Sequence, residues 1–587
     1  METVEIFLIG KERNNIMKKK KKIFNIILSL LFGFQQFFFF PMEIYYSDKL
    51  SFALASKYFA IPMLILTLVV CGIVFVILWF SLKKSKKIHK YISLLLMGYI
   101  LASYIQAMFL NGKMGKITGE FVVDYDDVSF ITYNLEIFLG LMILPLIICF
   151  IKNKYIVKLK KIVNWNVAIY LFSVLFFMQF MGYISNYIKF YNENKSLGNR
   201  IGCFSYEPSM HLSDKENIVV FLTDKLGGRV VDDLIKDYPE LNEYFEGFTY
   251  YKDNCSYYCA TYPSVVSLFS KTKLEDLNGK GSYINTVWRN QNLAGTLKQN
   301  EYDVYLHIDK GTTYNSFKEV NGVCDNAVSR ELNKDTKIKY NSILKVMVEF
   351  SFSKTMPYIA KGFFVLYYNS DFANRFIEID YGKYPDIQKQ MVGPSTDLAF
   401  YNYLKENKLK ADNDNKVFSF VHINGNHDPS KEEADLYEGK KADNLEYATA
   451  RGECEILYEY IKQMKDLGIF DNSTIIILAD HDDIYGPRLD FDGNIYEISS
   501  TALLVKEKNA DIVPLKIDEE SQMSNAYFYD SVLEYAGIKN ENSGYTYRSV
   551  SNNYSGENIT RIMKNMIGEV YEVNGNARDI KSYKKIK

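Results

Sequence analysis

The sequence predicts an α/β protein in which five N-terminal transmembrane helices precede an extracellular α/β domain with a mostly parallel central sheet. Three observations support this fold class. The chain has 587 residues, which exceeds the length at which one hydrophobic core stops growing. Its first third holds five long apolar runs, whereas the rest mixes charged and apolar residues as soluble domains do. The formal net charge of -1 hides a clustering of lysines between the apolar runs.

Each apolar run is long enough to cross a bilayer as a helix. The runs are about 17 to 22 residues long, close to the roughly 20 that a transmembrane helix needs. Five such runs with almost no charge are hard to place inside a soluble core, so buried core helices are the weaker alternative. The predicted helices are 23–40, 59–80, 91–110, 135–151 and 167–184.

Lysines in the loops predict the orientation of these helices. Lysine clusters lie at 18–22, 83–90 and 152–161, and the positive-inside rule places all three in the cytoplasm. The alternate loop, 111–132, is instead acidic, with Glu120, Asp124, Asp126 and Asp127 against Lys113 and Lys116. An odd number of spans then places everything after residue 184 outside the cell, as in a multi-pass plasma-membrane protein.

The first apolar run is expected to remain as a helix, because no small-residue cleavage site follows it in FFFFPMEIYY. Met1 and Met17 are both possible starts. The segment after the last span is polar and lacks a sustained period, as a linker does. The expected divisions are a cytoplasmic basic N-terminus at 1–22, a five-helix transmembrane domain at 23–184, a linker at 185–214, an α/β domain at 215–545 and a C-terminal tail at 546–587.

The seven cysteines do not predict a disulfide framework. Cys71 and Cys149 fall in transmembrane runs, and the other five form an odd set without regular spacing. We expect them to pack in the interior, and a disulfide among them stays open.

Acids and imidazoles directly follow the predicted strands of the α/β domain. The runs 218–223, 304–307, 417–423 and 473–479 are nearly continuous in apolar residues and alternate with helical stretches such as 448–467, which is typical of a parallel sheet covered on both faces. Ligands bind such sheets beyond the carboxyl ends of the strands. The residues at these ends are Asp224, His422, His427, Asp480 and His481.

A cation site is the functional interpretation of this pattern. A single Asp after a strand is more often a turn former or a helix cap. Three of the six histidines, however, stand at strand ends, and carboxylate oxygen with imidazole nitrogen is a common ligand set for divalent metals. A structural Asp–His pair is the alternative.

Thr261, in the stretch CATYPSVVSLF, has two interpretations. Pro263 suits an early helical position, so local sequence favours Thr261 as a helix cap. A hydroxyl at a helix N-terminus also lies where backbone N–H groups attract phosphate, and a metal would activate it as a nucleophile.

Taken in order, these motifs resemble the alkaline phosphatase and sulfatase superfamily. The resemblance is carried by Asp224, by Thr261 in TYPS, by HINGNHDP and by DNSTIIILADH, with further agreement in GFTYYKDNCS and YDSVLEYAGI. Five preceding spans make the chain similar to the membrane-bound branch that includes lipoteichoic acid synthase and the phosphoethanolamine transferases.

The resemblance implies a metal-dependent site with Asp224, Thr261, Asp480 and His481 as ligands of one divalent ion, Mn²⁺ favoured and Zn²⁺ or Mg²⁺ possible. Thr261 is then also the nucleophile, and His427 contacts the phosphate or transfers a proton. His422 and His307 are weaker candidates for substrate contacts.

The implied activity is transfer of a phosphoglycerol-type head group from a membrane phospholipid, through a phosphothreonine, to a cell-envelope glycan or a teichoic-type polymer, as in lipoteichoic acid biosynthesis. Phosphoethanolamine transfer and a phosphodiester or sulfate ester hydrolase of the same fold are alternatives. A non-catalytic envelope protein or a transporter would not need the nucleophile and the full ligand set. No nucleic acid partner is expected.

Two departures from the family pattern bear on substrate. Sulfatases carry a Cys or Ser, converted to formylglycine, in C-x-P-S-R, whereas this chain has Thr261 and Val265 at the first and last positions. Threonine cannot become formylglycine, which favours phosphoryl transfer. Relatives read D-H-G where this chain reads Asp480-His481-Asp482-Asp483.

Residues 343–368 contain the apolar stretch FSFSKTMPYIAKGFFVLYY. It either lies on the membrane surface or forms a buried helix that breaks at Pro357.

Overall fold

The computed structural model describes most of the chain and divides it into two compact units. One unit comprises Met1–Ile201 and Glu331–Ile379, and the other comprises Gly202–Arg330 and Asp380–Lys587. The described residues are 20–47, 52–111, 128–150, 165–193, 199–277, 282–315, 317–332, 336–364, 372–389, 392–482, 488–489, 495–497, 500–540, 544–552, 558–566 and 568–587. Three groups of residues lie outside these ranges, namely the acidic residues of the loop 111–132, the lysines of 152–161, and Asp483.

The first unit contains five helices that are long and apolar enough to cross a membrane, as predicted. Each is longer than its apolar run because polar residues extend it at one or both ends. Ser85 separates the second helix from the third, since its hydroxyl caps the third by accepting hydrogen bonds from Lys87 N and Ile88 N. The helices are α1 (Lys20–Ser47), α2 (Lys57–Lys84), α3 (Lys86–Phe109), α4 (Val128–Phe150) and α5 (Trp165–Glu193).

Residues 331–379 pack in this first unit, and part of them lies against α1. Tyr340–Thr355 forms a helix that ends just before Pro357, and a 3₁₀ helix, Tyr358–Phe364, follows. Gln36 Nε2 of α1 donates to Ser351 Oγ at 3.1 Å and to Thr355 Oγ1 at 2.9 Å. The broken-helix alternative therefore describes the local structure, while Ile359 and Phe363 of the 3₁₀ helix remain exposed.

The second unit is built on a seven-stranded sheet. Its strands are β3 (Asn217–Thr223), β4 (Thr249–Tyr251), β6 (Tyr302–His307), β9 (Lys416–Ile423), β10 (Ser473–Ala479), β13 (Leu503–Lys506) and β14 (Lys516–Asp518). Across the sheet the order is β14-β4-β13-β10-β3-β9-β6, and four of the six neighbouring pairs are parallel. This confirms the predicted α/β class with a mostly parallel sheet.

The remaining strands are short. They are β1 (Arg200–Phe204), β2 (His211–Ser213), β5 (Asn254–Cys255), β7 (Ala327–Glu331), β8 (Lys410–Asn413), β11 (Arg488–Leu489), β12 (Ile495–Glu497), β15 (Met523–Ser524), β16 (Thr560–Lys564), β17 (Val570–Asn574) and β18 (Tyr583–Lys585).

Helices cover both faces of the sheet. Numbered in chain order after the five long apolar helices, the helices of the second unit are α6 (Gly228–Asp237), α7 (Leu241–Tyr244), α8 (Thr261–Leu268), α9 (Tyr283–Arg289), α10 (Leu293–Gln299), α11 (Phe317–Val320), α13 (Pro394–Asn407), α14 (Lys431–Ala434), α15 (Leu445–Asp466), α16 (Phe528–Tyr535) and α17 (Tyr547–Asn552). The number α12 belongs to Tyr340–Thr355 of the first unit. On one face, Phe221 packs edge-on against Tyr460 of α15; on the other, Phe420 contacts Phe269 and Phe528. Burial on both faces explains why the central strands are apolar throughout.

Strand register sets the geometry of the sheet edge. Strands β3 and β10 pair in parallel with Thr223 opposite Ala479, and β9 lies on the other side of β3 with His422 opposite Leu222. The residues that follow β3 and β10, Asp224 and Asp480, therefore leave the sheet side by side.

Candidate active site

Asp480 directs one carboxylate oxygen at the backbone and leaves the other uncompensated. Its Oδ1 accepts hydrogen bonds from Lys225 N at 3.1 Å and from His481 N at 2.8 Å. Lys225 reaches this position with a φ of 58°, a left-handed conformation that costs free energy for a residue other than glycine. Oδ2 of Asp480 is buried and has no hydrogen-bond partner among the described residues. One carboxyl oxygen is therefore held in place without a donor.

Asp224 follows the neighbouring strand β3, and it too has one carboxyl oxygen with hydrogen-bond partners and one without. Its Oδ2 accepts from Thr261 Oγ1 at 3.3 Å and lies 3.2 Å from Nε2 of His422, whereas its buried Oδ1 has no hydrogen-bond partner in the described part of the chain. Burial, with the charge of Asp480 as a second cause, raises the pKa of Asp224 to about 8. Two carboxylates held this close need a compensating positive charge to be ionised together at neutral pH.

His481 turns a ring nitrogen toward both carboxylates. Its Nδ1 lies 3.1 Å from the carbonyl oxygen of Asp482, and because a carbonyl only accepts, this contact assigns the proton to Nδ1. Nε2 then carries a lone pair and lies 3.6 Å from Asp224 Oδ1 and 3.6 Å from Asp480 Oδ2. A backbone carbonyl that fixes the tautomer in this way is the usual support of a metal-binding histidine.

Thr261 is the first residue of α8, at the helix start that the sequence predicted, but its hydroxyl does not cap the helix. The N-cap position belongs to Ala260, which makes no side-chain cap bond. The Thr261 hydroxyl instead donates to Asp224 Oδ2, and Oγ1 lies 3.3 Å from His481 Nε2. Its side chain is partly exposed, so an incoming substrate has access to it.

These contacts make the four residues fit one divalent cation. Asp224 Oδ1, Asp480 Oδ2 and His481 Nε2 are acceptors that face one another, and their ligand atoms lie within 4.8 Å of one another. Three buried acceptors without a donor between them are unfavourable unless a cation or a proton lies there. Oxygen and nitrogen ligands of this kind suit Mn²⁺, Zn²⁺ or Mg²⁺.

His422 and His427 lie on the same side of the sheet but in different environments. His422 is buried in β9, where Nε2 contacts Asp224 and Nδ1 lies 3.9 Å from Asp309 Oδ2. His427 ends the turn after β9, has an exposed side chain, and lies 3.5 Å from the carboxylate of Asp428. The first is placed to orient a carboxylate, and the second is accessible to solvent and substrate.

His307 does not join this group. Its Nδ1 lies 2.6 Å from Gln388 Oε1, and its Nε2 lies 2.9 Å from Ser209 Oγ, so both ring nitrogens have protein partners. The ring is buried between Tyr206 and Phe400, and this burial lowers the pKa of His307 to about 4. Its weaker role as a substrate contact stays a prediction that this geometry does not support.

Asp309 is a site residue that the sequence interpretation missed. It follows β6 by two residues, contacts His422, and accepts a hydrogen bond from the backbone of Val392. Burial raises the pKa of Asp309 to about 6. The signal was present, because Asp309 is an acid just beyond a strand end, as Asp224 and Asp480 are.

A second group of acids that the sequence did not indicate supports the turn that carries His427. Asp397 of α13 accepts a hydrogen bond from Gly425 N at 3.1 Å, and a Cβ on Gly425 would lie 2.5 Å from Glu453 Oε2 of α15. Glu433 of α14 lies beside Asp397, and all three carboxyl groups are buried. The turn is thus held between three helices.

The loop after His481 has room for its aspartate in place of the family's glycine. Asp482 lies against Gly227, and a Cβ added to Gly227 would come within 2.7 Å of Asp482 Oδ1. The Asp482 backbone carbonyl still contacts His481, so this replacement leaves the tautomer support in place.

No family model and no curated protein sequence matches the chain. Among solved structures, a protein of the alkaline phosphatase superfamily from Vibrio parahaemolyticus is similar at 13% identity and a TM-score of 0.36, covering 66% of this chain and 85% of that one. The soluble domain of lipooligosaccharide phosphoethanolamine transferase A from Neisseria meningitidis is similar at 14% identity and a TM-score of 0.31, covering 55% and 88%. The superfamily that the motifs resemble is thus among these structures.

Proposed function

We propose that the chain is a membrane-anchored, metal-dependent phosphotransferase that moves a phosphoglycerol-type head group from a membrane phospholipid to a cell-envelope glycan or teichoic-type polymer. The convergence of Asp224 Oδ1, Asp480 Oδ2 and His481 Nε2 around Thr261 Oγ1 is the observation that carries this proposal.

Asp224, Asp480, His481 and Thr261 would hold one divalent cation, with Mn²⁺ favoured by the resemblance. When bound, the cation supplies positive charge that stabilises the anionic oxygens of a phosphoryl group and lowers the pKa of a ligating hydroxyl. His422 keeps Asp224 in place through the contact between Nε2 and Oδ2. Buried carboxylates that are already oriented lose little conformational entropy on binding.

In the first displacement, Thr261 Oγ1 attacks the phosphorus of the lipid phosphodiester. The Oγ1–P bond forms, the bond from phosphorus to the diacylglycerol oxygen breaks, and the head group stays on Thr261 as a phosphodiester. Asp224 Oδ2, which already accepts the Thr261 hydrogen bond, takes the hydroxyl proton. The diacylglycerol oxygen takes its proton from His427, whose exposed ring is accessible to the leaving group.

The second displacement reverses these roles. A hydroxyl of the acceptor attacks phosphorus, the Oγ1–P bond breaks, and the proton on Asp224 returns to Thr261. Neutral His427 accepts the proton of the acceptor hydroxyl, which restores the starting state. With water as the acceptor the same residues would make a hydrolase, and with an ethanolamine head group they would make a phosphoethanolamine transferase.

The membrane helices support a lipid donor. A chain with five candidate spans is integral to a membrane and meets phospholipid at high local concentration. We place the N-terminus in the cytoplasm and the second unit outside, as the lysine distribution predicts.

Mass spectrometry of the trapped enzyme tests the proposal. Full-length protein in nanodiscs with Mn²⁺ and phosphatidylglycerol labelled in its head group is quenched during turnover, and the peptide that contains Thr261 is analysed. We expect a glycerol phosphate adduct on Thr261 and release of diacylglycerol. Thr261→Ala should lose both.

Thr286→Ala is the matched control, because Thr286 lies in the first turn of α9 and its hydroxyl donates to Ser282 O of the same helix. It should behave as the wild type. Diacylglycerol release that persists in Thr261→Ala would refute the covalent mechanism. Release of free glycerol phosphate in the presence of glycan and teichoic-type acceptors would identify a hydrolase, and an adduct formed only from phosphatidylethanolamine would identify the other head group.

A further inference from the structure

A tyrosine-lined cavity lies in the second unit, and none of the proposed cation ligands is part of its lining. Its volume is about 290 Å³, near the lower end of the range for small-molecule sites, roughly 300–1,000 Å³. It lies between α13 and residues 381–389. Its lining includes four tyrosines, Tyr206, Tyr381, Tyr384 and Tyr403, with Lys389 and Glu406 as its charged members.

The cavity has an aromatic floor and a polar rim. Tyr206 and Tyr403 are buried, with ring centroids 5.5 Å apart, and Tyr206 is fixed by a hydrogen bond from its hydroxyl to Thr396 O. Tyr381 and Tyr384 are half-buried at the rim. Lys389 Nζ lies 5.5 Å from the centroid of the Tyr381 ring. Rigid apolar surface at the bottom and hydrogen-bonding groups at the edge are typical of a ligand site.

The lining selects the chemical class of the ligand. One lysine and one glutamate give no net positive charge, whereas a phosphorylated polymer would need a cluster of arginines or lysines. The hydroxyl, amide and charged groups around the rim do not suit an acyl chain, since burial would leave them unpaired. A sugar ring matches this lining, because it offers an apolar C–H face to the half-buried rings of Tyr381 and Tyr384 and hydroxyl groups to the polar side chains.

The cavity adjoins the edge of the sheet where the candidate active site lies. Tyr206 packs against His307, the last residue of β6, with ring centroids 5.2 Å apart. The same helix that lines the cavity, α13, holds the turn that carries His427 through the hydrogen bond from Gly425 N to Asp397. A chain-like ligand held in the cavity would have its neighbouring unit near the carboxyl ends of the strands.

We infer that this cavity binds a neutral hexose unit of a glycan. That the glycan is the acceptor of the transfer reaction rests on the proposed function, whereas the binding of a neutral sugar does not.

Saturation-transfer NMR on the full chain in nanodiscs tests this inference, with gentiobiose, maltose and N,N′-diacetylchitobiose as probes and a glycerol phosphate oligomer as the charged comparison. We expect at least one disaccharide to bind and the oligomer not to bind at this cavity. Tyr381→Ala and Tyr384→Ala should weaken disaccharide binding by at least about tenfold. Tyr401→Ala is the matched control, because Tyr401 lies on the same helix outside the cavity and packs against the main core.

Two further measurements distinguish the source of the sugar and separate sugar binding from the proposed transfer reaction. Competition by a glucosyl diacylglycerol in the nanodisc would identify a glycolipid head group, and binding without such competition would identify a free glycan; either result supports hexose recognition. Thr261→Ala should bind the disaccharide as the wild type does, so loss of transfer and loss of binding are distinguishable. No binding by any disaccharide, or equal binding by the wild type and both rim variants, would overturn the inference.

Discussion

At the scale of single residues, the site depends on which atoms lack a partner. Asp480 Oδ1 is satisfied by two backbone N–H groups, while its Oδ2 and Asp224 Oδ1 are buried without a donor among the described residues. His481 adds a third acceptor, because the carbonyl of Asp482 holds its proton on Nδ1. A cation is the simplest partner that all three could share, and Thr261 Oγ1 lies 3.3 Å from Asp224 Oδ2 and from His481 Nε2.

Replacement of one carboxylate should weaken metal binding. Asp480→Asn keeps the shape of the side chain but removes the charge, so we expect the dissociation constant for Mn²⁺ to rise by at least about tenfold. Titration of metal-stripped protein, followed by metal analysis of the bound fraction, measures this. Asp412→Asn, at an exposed aspartate that bonds to His211, should leave the constant unchanged. Equal Mn²⁺ affinity in Asp480→Asn would refute the ligand assignment.

The size of the nucleophile should matter less than its hydroxyl. Thr261→Ser retains an oxygen that can donate to Asp224, so we expect transfer to continue with a reduced kcat. Thr261→Val has nearly the same volume but no hydroxyl, so we expect kcat to fall by at least about 10³-fold. Diacylglycerol release from labelled lipid measures both variants. Substantial activity in Thr261→Val would exclude Thr261 as the nucleophile.

At the scale of secondary-structure elements, buried acids from neighbouring helices surround the turn that carries His427. The turn after β9 has Gly425 at a φ of 42°, with Asp397 of α13 and Glu453 of α15 on either side. Burial raises the pKa of Asp397 well above its usual range, and the charge of Glu433 raises it further. The elements around His427 are thus joined by carboxyl groups that favour the protonated state.

Asp397→Asn should stabilise the fold at alkaline pH. A carboxyl whose folded pKa is raised contributes stability below its unfolded pKa of about 3.9, and this contribution is lost as pH rises through the folded pKa. The amide keeps the acceptor for Gly425 N and can donate to Glu433. We expect the unfolding temperature at pH 8 to rise by roughly 2–4 °C, with the difference vanishing near pH 4. A lower unfolding temperature for Asp397→Asn at every pH would contradict this, and Asp412→Asn is the control.

Gly425→Ala should impair activity through the same turn. A Cβ there would meet Glu453 Oε2 at 2.5 Å, in addition to the left-handed backbone. Gly468 at the end of α15 also has a positive φ, of 70°, but a Cβ there would meet nothing within 4 Å. Gly468→Ala therefore reports the backbone cost alone, about 1–2 kcal/mol, without loss of transfer rate. If Gly425→Ala and Gly468→Ala had equal transfer rates, the contact of the added Cβ with Glu453 would have no effect on His427.

At the scale of the whole molecule, two units with different chemistry share one chain. The first consists largely of apolar helices that leave many hydrophobic side chains exposed, which suits lipid. The second has a sheet buried on both faces, as soluble α/β domains do. The first unit also takes in residues 331–379, which interrupt the second unit in sequence.

Topology mapping checks the predicted orientation. Five spans place the termini on opposite sides of the membrane, so a tag after Lys587 should be digested by protease added to intact cells, while a tag before Met1 should be protected. Replacing Lys83, Lys84, Lys86, Lys87 and Lys90 with glutamine should lower the fraction in this orientation. Protection of the C-terminal tag in the wild type would reverse the assignment.

The sequence by itself determined the five apolar helices, the mostly parallel sheet and the meeting of Asp224, Asp480 and His481 at one edge of it. These follow from local patterns, because apolar runs set strands and helices, and parallel strands bring the residues after them to one edge. Thr261 follows no strand, and only the resemblance joined it to this group. Asp309 followed the same rule and was within reach of the sequence.

Only the tertiary structure decided the rest, because it depends on contacts between residues distant in sequence. It placed His307, a candidate substrate contact, between Tyr206 and Phe400 of α13, at the end of the edge strand β6. It assigned the His481 proton through the carbonyl of Asp482. It gathered four tyrosines from three separate segments into one cavity. No local pattern encodes such packing, which is fixed by how the helices lie on the sheet.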